Sequence, residues 1–151
     1  MAFRRLNGKT KIMYFKGDTA EEVRNGGIVT INDSGTLSAV KNDSLDMIIG
    51  VARRNDTVTD SAMVPVEVPV ESAVEWEIDV DSDGGAADSD VGRYVAVDTT
   101  GGNSVDAGDS QGMRVDISDS AAGSIFITRV KSATKVVGVI AISAFHTNYD
   151  T

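Results

Sequence analysis

The sequence predicts an all-β protein: a small β-barrel or β-sandwich of about eight short strands, with one short helical turn and an extended N-terminal arm. Three observations carry that prediction. Between positions 64 and 80 apolar and polar residues alternate with period two, the signature of a strand with one buried face. Elsewhere, short Val- and Ile-rich runs are separated by clusters of Asn, Asp, Ser and Gly. One segment alone carries helix-start spacing, Thr19 followed by Glu22, and the Gly26-Gly27 pair stops it within two turns.

Residues 1–16 read as an arm. They hold a short apolar run, Ile12-Met13-Tyr14-Phe15, inside a basic and otherwise unpatterned stretch. The expected organisation is therefore a docking arm over 1–16 and a single β domain over 17–151. Strands are expected at 27–31, 36–40 and 47–53, with turn chemistry at Asn32-Asp33-Ser34-Gly35 and Asn42-Asp43-Ser44. The alternating segment follows. Its even positions run Val64, Val66, Val68, Val70, Ser72, Val74, Trp76, Ile78, Val80, and its odd positions are mostly Glu, Asp and Pro. At about 3.3 Å per residue this segment would span about 56 Å, too long for one strand of a small domain. A bend is expected near Ser72-Ala73. Pro65 and Pro69 cannot donate to a ladder, which places the first half on a sheet edge with a solvated acidic row opposite the apolar one. Trp76 falls on the core face. Four more strands are expected at 93–98, 113–117, 124–130 and 136–145, with polar loops at 81–90 and 99–111. The segments Ile48-Ile49-Gly50-Val51-Ala52 and Val136-Val137-Gly138-Val139-Ile140-Ala141 rhyme. They read either as a weak internal duplication or as two buried strands that each need a Gly.

Charge and composition narrow the function. The chain has 151 residues, enough for a core without disulfide or metal staples, and no Cys. No signal-like or membrane-length apolar stretch is present, so a soluble chain without a classical export signal is expected. The formal charge is −9, which argues against broad binding to nucleic acid or an anionic membrane. Its distribution is polarised. Arg4, Arg5, Lys9, Lys11 and Lys16 give residues 1–16 a charge of +5 with no acid, while ten Asp against two Arg give residues 79–120 a net of −8.

Catalytic signatures are missing from the sequence. His146 is the sole histidine, the sixth residue counted back from the C-terminal end of the sequence, and no phosphate loop, nucleophile elbow or His-Glu-x-x-His occurs. No enzyme activity and no cofactor are expected. Glu75, Glu77, Asp79 and Asp81 share a strand face, but a solvated acidic row accounts for them better than a glycosidase pair. The loop starting at Asp79 matches Asp-x-Asp-x-Asp-Gly, making Asp79, Asp81, Asp83 and Asp90 a weak cation-binding candidate. An Asp at the twelfth position, Ala86 at the eighth and the lack of flanking helices count against it. The basic arm has three readings: a protein-docking strand that pairs through Ile12–Phe15, a nucleic-acid arm using Tyr14 and Phe15 for stacking, or a terminus without a role. Protein docking is favoured, because the acidic body would repel a polyanion.

These features resemble the small decoration, or cement, proteins of tailed-bacteriophage heads. The resemblance rests on size, absence of Cys, the paired β units ending in Ile48-Ile49-Gly50-Val51-Ala52 and Val136-Val137-Gly138-Val139, and the segment Val64-Pro65-Val66-Glu67-Val68; it covers residues 27–145. It implies a structural virion protein on the outer capsid surface that stabilises the shell against DNA pressure. It also implies the major capsid protein and a homotrimer as partners, with neither nucleic acid nor membrane bound. On that reading Arg4, Arg5, Lys9, Lys11, Ile12, Met13, Tyr14 and Phe15 form the capsid-binding arm, and Val64, Val66, Val68 and Val70 supply a subunit interface. The alternative is a tail, fibre or cell-surface β-module that binds a receptor or glycan.

Overall fold

The alternating segment 64–80 is the longest piece of strand pattern in the chain, and in the structure it becomes two strands in two different sheets. The structure is a computed structural model. It describes residues 3–17, 23–31, 35–39, 48–55, 63–71, 73–80, 84–98, 114–118 and 123–141. Among these, eleven strands follow in chain order: β1 (Phe3–Asn7), β2 (Thr10–Lys16), β3 (Ile28–Ile31), β4 (Leu37–Ala39), β5 (Gly50–Ala52), β6 (Met63–Pro69), β7 (Glu75–Asp79), β8 (Tyr94–Asp98), β9 (Arg114–Asp116), β10 (Ile125–Ser132) and β11 (Lys135–Ile140). One 3₁₀ turn, Asp88–Asp90, lies in a segment expected as loop. The expected helical turn at Thr19–Glu22 and the loop 99–111 lie outside the described residues, as does His146.

The protein is all-β, with two antiparallel sheets. Six strands run in the order β1-β7-β11-β10-β8-β9, and five in the order β2-β6-β5-β3-β4. The sheets share one core, in which Ile28 and Val51 of the five-stranded sheet cluster with Phe3, Trp76, Ile78, Ile125, Ile127 and Val136 of the six-stranded one. A second core, built on Val29, Leu37, Ala52, Val64, Val66 and Val68, takes the other parity of the five-stranded sheet. Adjacent residues such as Ile28 and Val29 thus serve opposite faces, as strand pleating requires.

β6 ends at Pro69 and β7 starts at Glu75, a break that brackets the bend expected near Ser72-Ala73 (Ser72 itself lies outside the described residues) and changes which core the apolar row serves. Even-numbered Val64, Val66 and Val68 of β6 fill the second core, while even-numbered Val74, Trp76 and Ile78 fill the core between the sheets. Val64, Val66 and Val68, expected at a subunit interface, are therefore fully buried within their own chain, and Val70 alone of the four is exposed. The interface expectation is corrected accordingly: this row is consumed by intrachain packing.

The edge placement of β6 is corrected too, since β6 lies between β2 and β5. Its prolines are tolerated for a geometric reason. The Val70 amide donates to the Lys9 carbonyl at 3.1 Å, and the Arg53 amide donates to the Pro65 carbonyl at 2.9 Å. Even positions of β6 therefore bond β2, and odd positions, including Pro65 and Pro69, face β5. There β5 pairs only with Val66 and Glu67, so the missing N–H groups fall where the ladder is short.

The largest correction concerns residues 1–16. They do not form an arm apart from a 17–151 domain. β1 pairs with β7 and β2 pairs with β6, so that residues 3–16 line residues 63–79 along one ribbon that crosses from sheet to sheet. Phe3 is fully buried, and its amide donates to the Gly26 carbonyl at 3.0 Å.

The two rhyming segments both supply interior strands at which a neighbouring backbone comes close. A Cβ on Gly50 would meet the Glu67 carbonyl oxygen at 2.4 Å, and one on Gly138 would meet the Phe126 carbonyl oxygen at 2.9 Å. Close packing accounts for both glycines, with no need of a duplication.

Candidate functional site

The N-terminal ribbon brings together the residues expected to bind a partner, and the structure divides them into two groups. Arg4 lies directly across from Glu77 in the β1–β7 register, and its Nη2 is 2.9 Å from Glu77 Oε2. Arg5 Nε donates to Glu67 Oε2 at 2.7 Å, and the Thr10 hydroxyl donates to the same oxygen at 2.9 Å. Arg53 completes this cluster: its Nε donates to Glu67 Oε1 at 2.8 Å, its Nη1 to the Phe3 carbonyl at 3.0 Å, and its guanidinium lies 5.7 Å from the Trp76 ring centre. Met13 and Phe15 pack against the second core. Arg4, Arg5, Met13 and Phe15 therefore serve the fold.

This corrects the solvated acidic row. Glu67 and Glu77 are each only 7% exposed. Glu77 is ringed by cations: Lys131 Nζ at 2.5 Å, Arg4, and Lys135 Nζ at 3.8 Å. The Lys131 hydrogen bond leads in holding its carboxyl below the ordinary value; burial opposes this, and the Arg4 contact reinforces it. At Glu67 burial pushes the carboxyl up, but the hydrogen bonds from Arg53 and Thr10 and the charges of Arg53 and Arg5 outweigh it, and the net shift is downward. Lys135 is raised, chiefly by its hydrogen bond to Asp79 at 2.8 Å. Two cations of the chain start are thus matched by the Glu row 67–77, Arg4 by Glu77 across adjacent strands and Arg5 by Glu67, while Asp79 and Asp90 of the Asp-rich stretch pair with Lys135 and Arg93.

The second group faces outward. Lys9, Lys11, Ile12, Tyr14 and Lys16 are exposed, Ile12 by 45% and Tyr14 by 61%. The side chains of Lys9, Lys11 and Lys16 make no ion pair among the described residues. β2 is an end strand of its sheet; just past it Gly17 forms a parallel bridge with Leu37 of β4, the other end strand, and before that bridge no described strand pairs with the other side of β2. The Lys9 carbonyl bonds β6, so odd positions of β2 point inward to the ladder. The N–H and C=O groups of Thr10, Ile12 and Tyr14 consequently lie along the free edge, which ends where Gly17 bridges Leu37. The result is a pre-formed, basic, seven-residue edge strand with two exposed apolar side chains.

The acidic-loop candidate does not assemble among the described residues. Asp79 binds Lys135. Asp90 pairs with Arg93 and accepts the Ala87 amide at 2.8 Å. Asp81 and Asp83 lie outside the described residues, within which no three His, Cys, Asp or Glu side chains gather in a metal-binding arrangement. No described helix is long and apolar enough to cross a membrane.

Sequence reasoning missed Phe3 as a core residue and missed Arg53 and Lys131 as counterions. A usable signal was present in the sign complementarity between Arg4-Arg5 and the Glu row 67–77, lengths of chain that fit each other as two antiparallel strands. No protein-family model, curated protein or solved structure matches this chain.

Proposed function

We propose that this protein is a non-catalytic capsid decoration protein of a tailed bacteriophage, which binds the major capsid protein on the outer shell as a homotrimer and stiffens the shell against packaged DNA. One observation supports the reading: an acidic chain displays a basic end strand, β2, whose outer side has no strand partner among the described residues ahead of the Gly17–Leu37 bridge and can accept a strand from a partner. Because the edge is already folded, docking requires little backbone ordering, a cost of roughly 1–2 kcal/mol per residue for a flexible arm. Lys9, Lys11 and Lys16 steer an acidic partner segment, and Ile12 and Tyr14 supply apolar burial. A trimer that engages several shell subunits at once turns modest single contacts into tight attachment. Arg4 and Arg5 are occupied internally, leaving too few free cations in the ribbon for strong polyanion binding.

The test is decoration of purified empty phage heads, read by negative-stain imaging and co-sedimentation. The Ile12→Pro variant removes one N–H from the free edge and none from the β2–β6 ladder. It is expected to keep its far-UV circular dichroism and lose decoration, while the intact chain decorates. Failure of the intact chain to decorate, or equal decoration by Ile12→Pro, would overturn the proposal.

A further inference from the structure

Away from that edge, on the outward face of the six-stranded sheet, two β-bulges flank the central strands β7 and β11. On β1 the register slips between Arg5 and Asn7, and on β10 it slips between Ile127 and Arg129. A bulge inserts one residue and re-aims its neighbours, which is why bulges recur beside binding sites. Here the two bulges present Leu6 and Asn7 from one side, and Thr128 and Arg129 from the other, around Glu75. The five residues line a groove of about 500 Å³, within the ~300–1,000 Å³ range of small-ligand sites.

The groove offers matched polar groups. The Thr128 hydroxyl lies 3.1 Å from Glu75 Oε2, leaving Oε1 with no hydrogen bond among the described residues. Asn7 Oδ1 accepts the Gly8 amide at 2.8 Å, which leaves its amide NH₂ as a donor. Arg129 is exposed and makes no ion pair or side-chain hydrogen bond among the described residues. One carboxylate and one guanidinium give the groove no net charge. On the sheet face beside the groove, cross-strand register sets Asn7 and Glu75 in a single row with Val139, Phe126 and Tyr94. At the far end the rings of Phe126 and Tyr94 pack at a tilt of 57° with centres 5.0 Å apart, and Tyr94 is 52% exposed. At about 4.8 Å per strand the row is about 19 Å long, the reach of a short oligosaccharide.

We propose that this row is a binding site for a neutral oligosaccharide. Glu75, Asn7 and Arg129 would bond ring hydroxyls as acceptor and donors, and Leu6, Phe126 and Tyr94 would take the C–H faces of the sugar rings. A sheet face offers no backbone ladder, so an extended peptide is not favoured there, and one unpaired cation in the groove is too little for nucleic acid. The site does not depend on the decoration reading and is tested on the soluble protein alone.

The experiment is an amide NMR titration of the full chain with cellotetraose, maltotetraose and chitotetraose, each to about 10 mM, in the weak-binding regime. At least one sugar is expected to shift the signals of Asn7, Glu75, Phe126, Tyr94 and Arg129 together. Arg129→Ala and Tyr94→Ala change exposed side chains, and Glu75→Gln is isosteric and keeps an acceptor for Thr128; each is expected to weaken binding by about tenfold with amide dispersion retained. No shift in this row with any of the three sugars, or binding that none of the variants weakens, would overturn the proposal.

Discussion

Glu67 shows how a single residue can reverse its apparent role. Its position on the polar side of an alternating strand predicts a solvated side chain, yet it receives Arg5, Arg53 and Thr10 and is nearly buried. Such a carboxylate is stabilising only while its partners remain, because an unmatched charge in that position has no water to replace them. Glu67 and Glu77 both lie below the ordinary carboxyl value of 4.5 in the folded protein. Each therefore binds protons less readily folded than unfolded, so its contribution is complete above about pH 4.5 and is lost as the pH falls through the lowered folded value. Melting temperature is expected to hold between pH 7 and 5 and to drop on further acidification. Glu67→Gln should lose about 2–3 kcal/mol at pH 7, in keeping with charge-assisted hydrogen bonds, and its acid limb should be shallower. An unchanged acid limb in Glu67→Gln would remove Glu67 from this account.

At the scale of elements, the N-terminal ribbon is a structural part of both sheets. β1 contributes Phe3 to the shared core, and β2 brings Met13 and Phe15 against the second. Fully burying a side chain of this size is worth roughly 1.5–3 kcal/mol, and removal of the ribbon also strips the ladders from one side of β6 and β7. Deletion of residues 1–16 is thus expected to abolish cooperative unfolding, measured by urea titration with circular dichroism. A truncated chain that still melts cooperatively near the intact midpoint would mean that these strands are appended. The same logic separates this deletion from Ile12→Pro, which touches only the free edge and leaves the ladder in place.

For the whole molecule, the consequence of burying Val64, Val66 and Val68 is that self-association must use another surface. The proposed homotrimer has exposed apolar candidates outside the docking edge in Met63 and Val70. Closure by a head-to-tail contact is compatible with three-fold symmetry. Sedimentation equilibrium of the free protein, together with density at each decorated position on the shell, is expected to give three chains per unit. A single-chain mass combined with isolated copies on the capsid would rule the trimer out.

Much of this was legible in the sequence. Period-two alternation, Trp76 on the core face, the break between two strands in the alternating segment and the all-β class all follow from local chemistry, because the side-chain direction in a strand is set by its own backbone. The tertiary structure alone decided the partnerships. It assigned the two halves of one apolar row to two cores, placed Arg5 beside Glu67 across 62 positions of chain, put Pro65 and Pro69 opposite a short strand, and set two bulges around Glu75. Pleating is a property of adjacent residues, whereas register and counterion choice are fixed only when distant strands meet and desolvate one another.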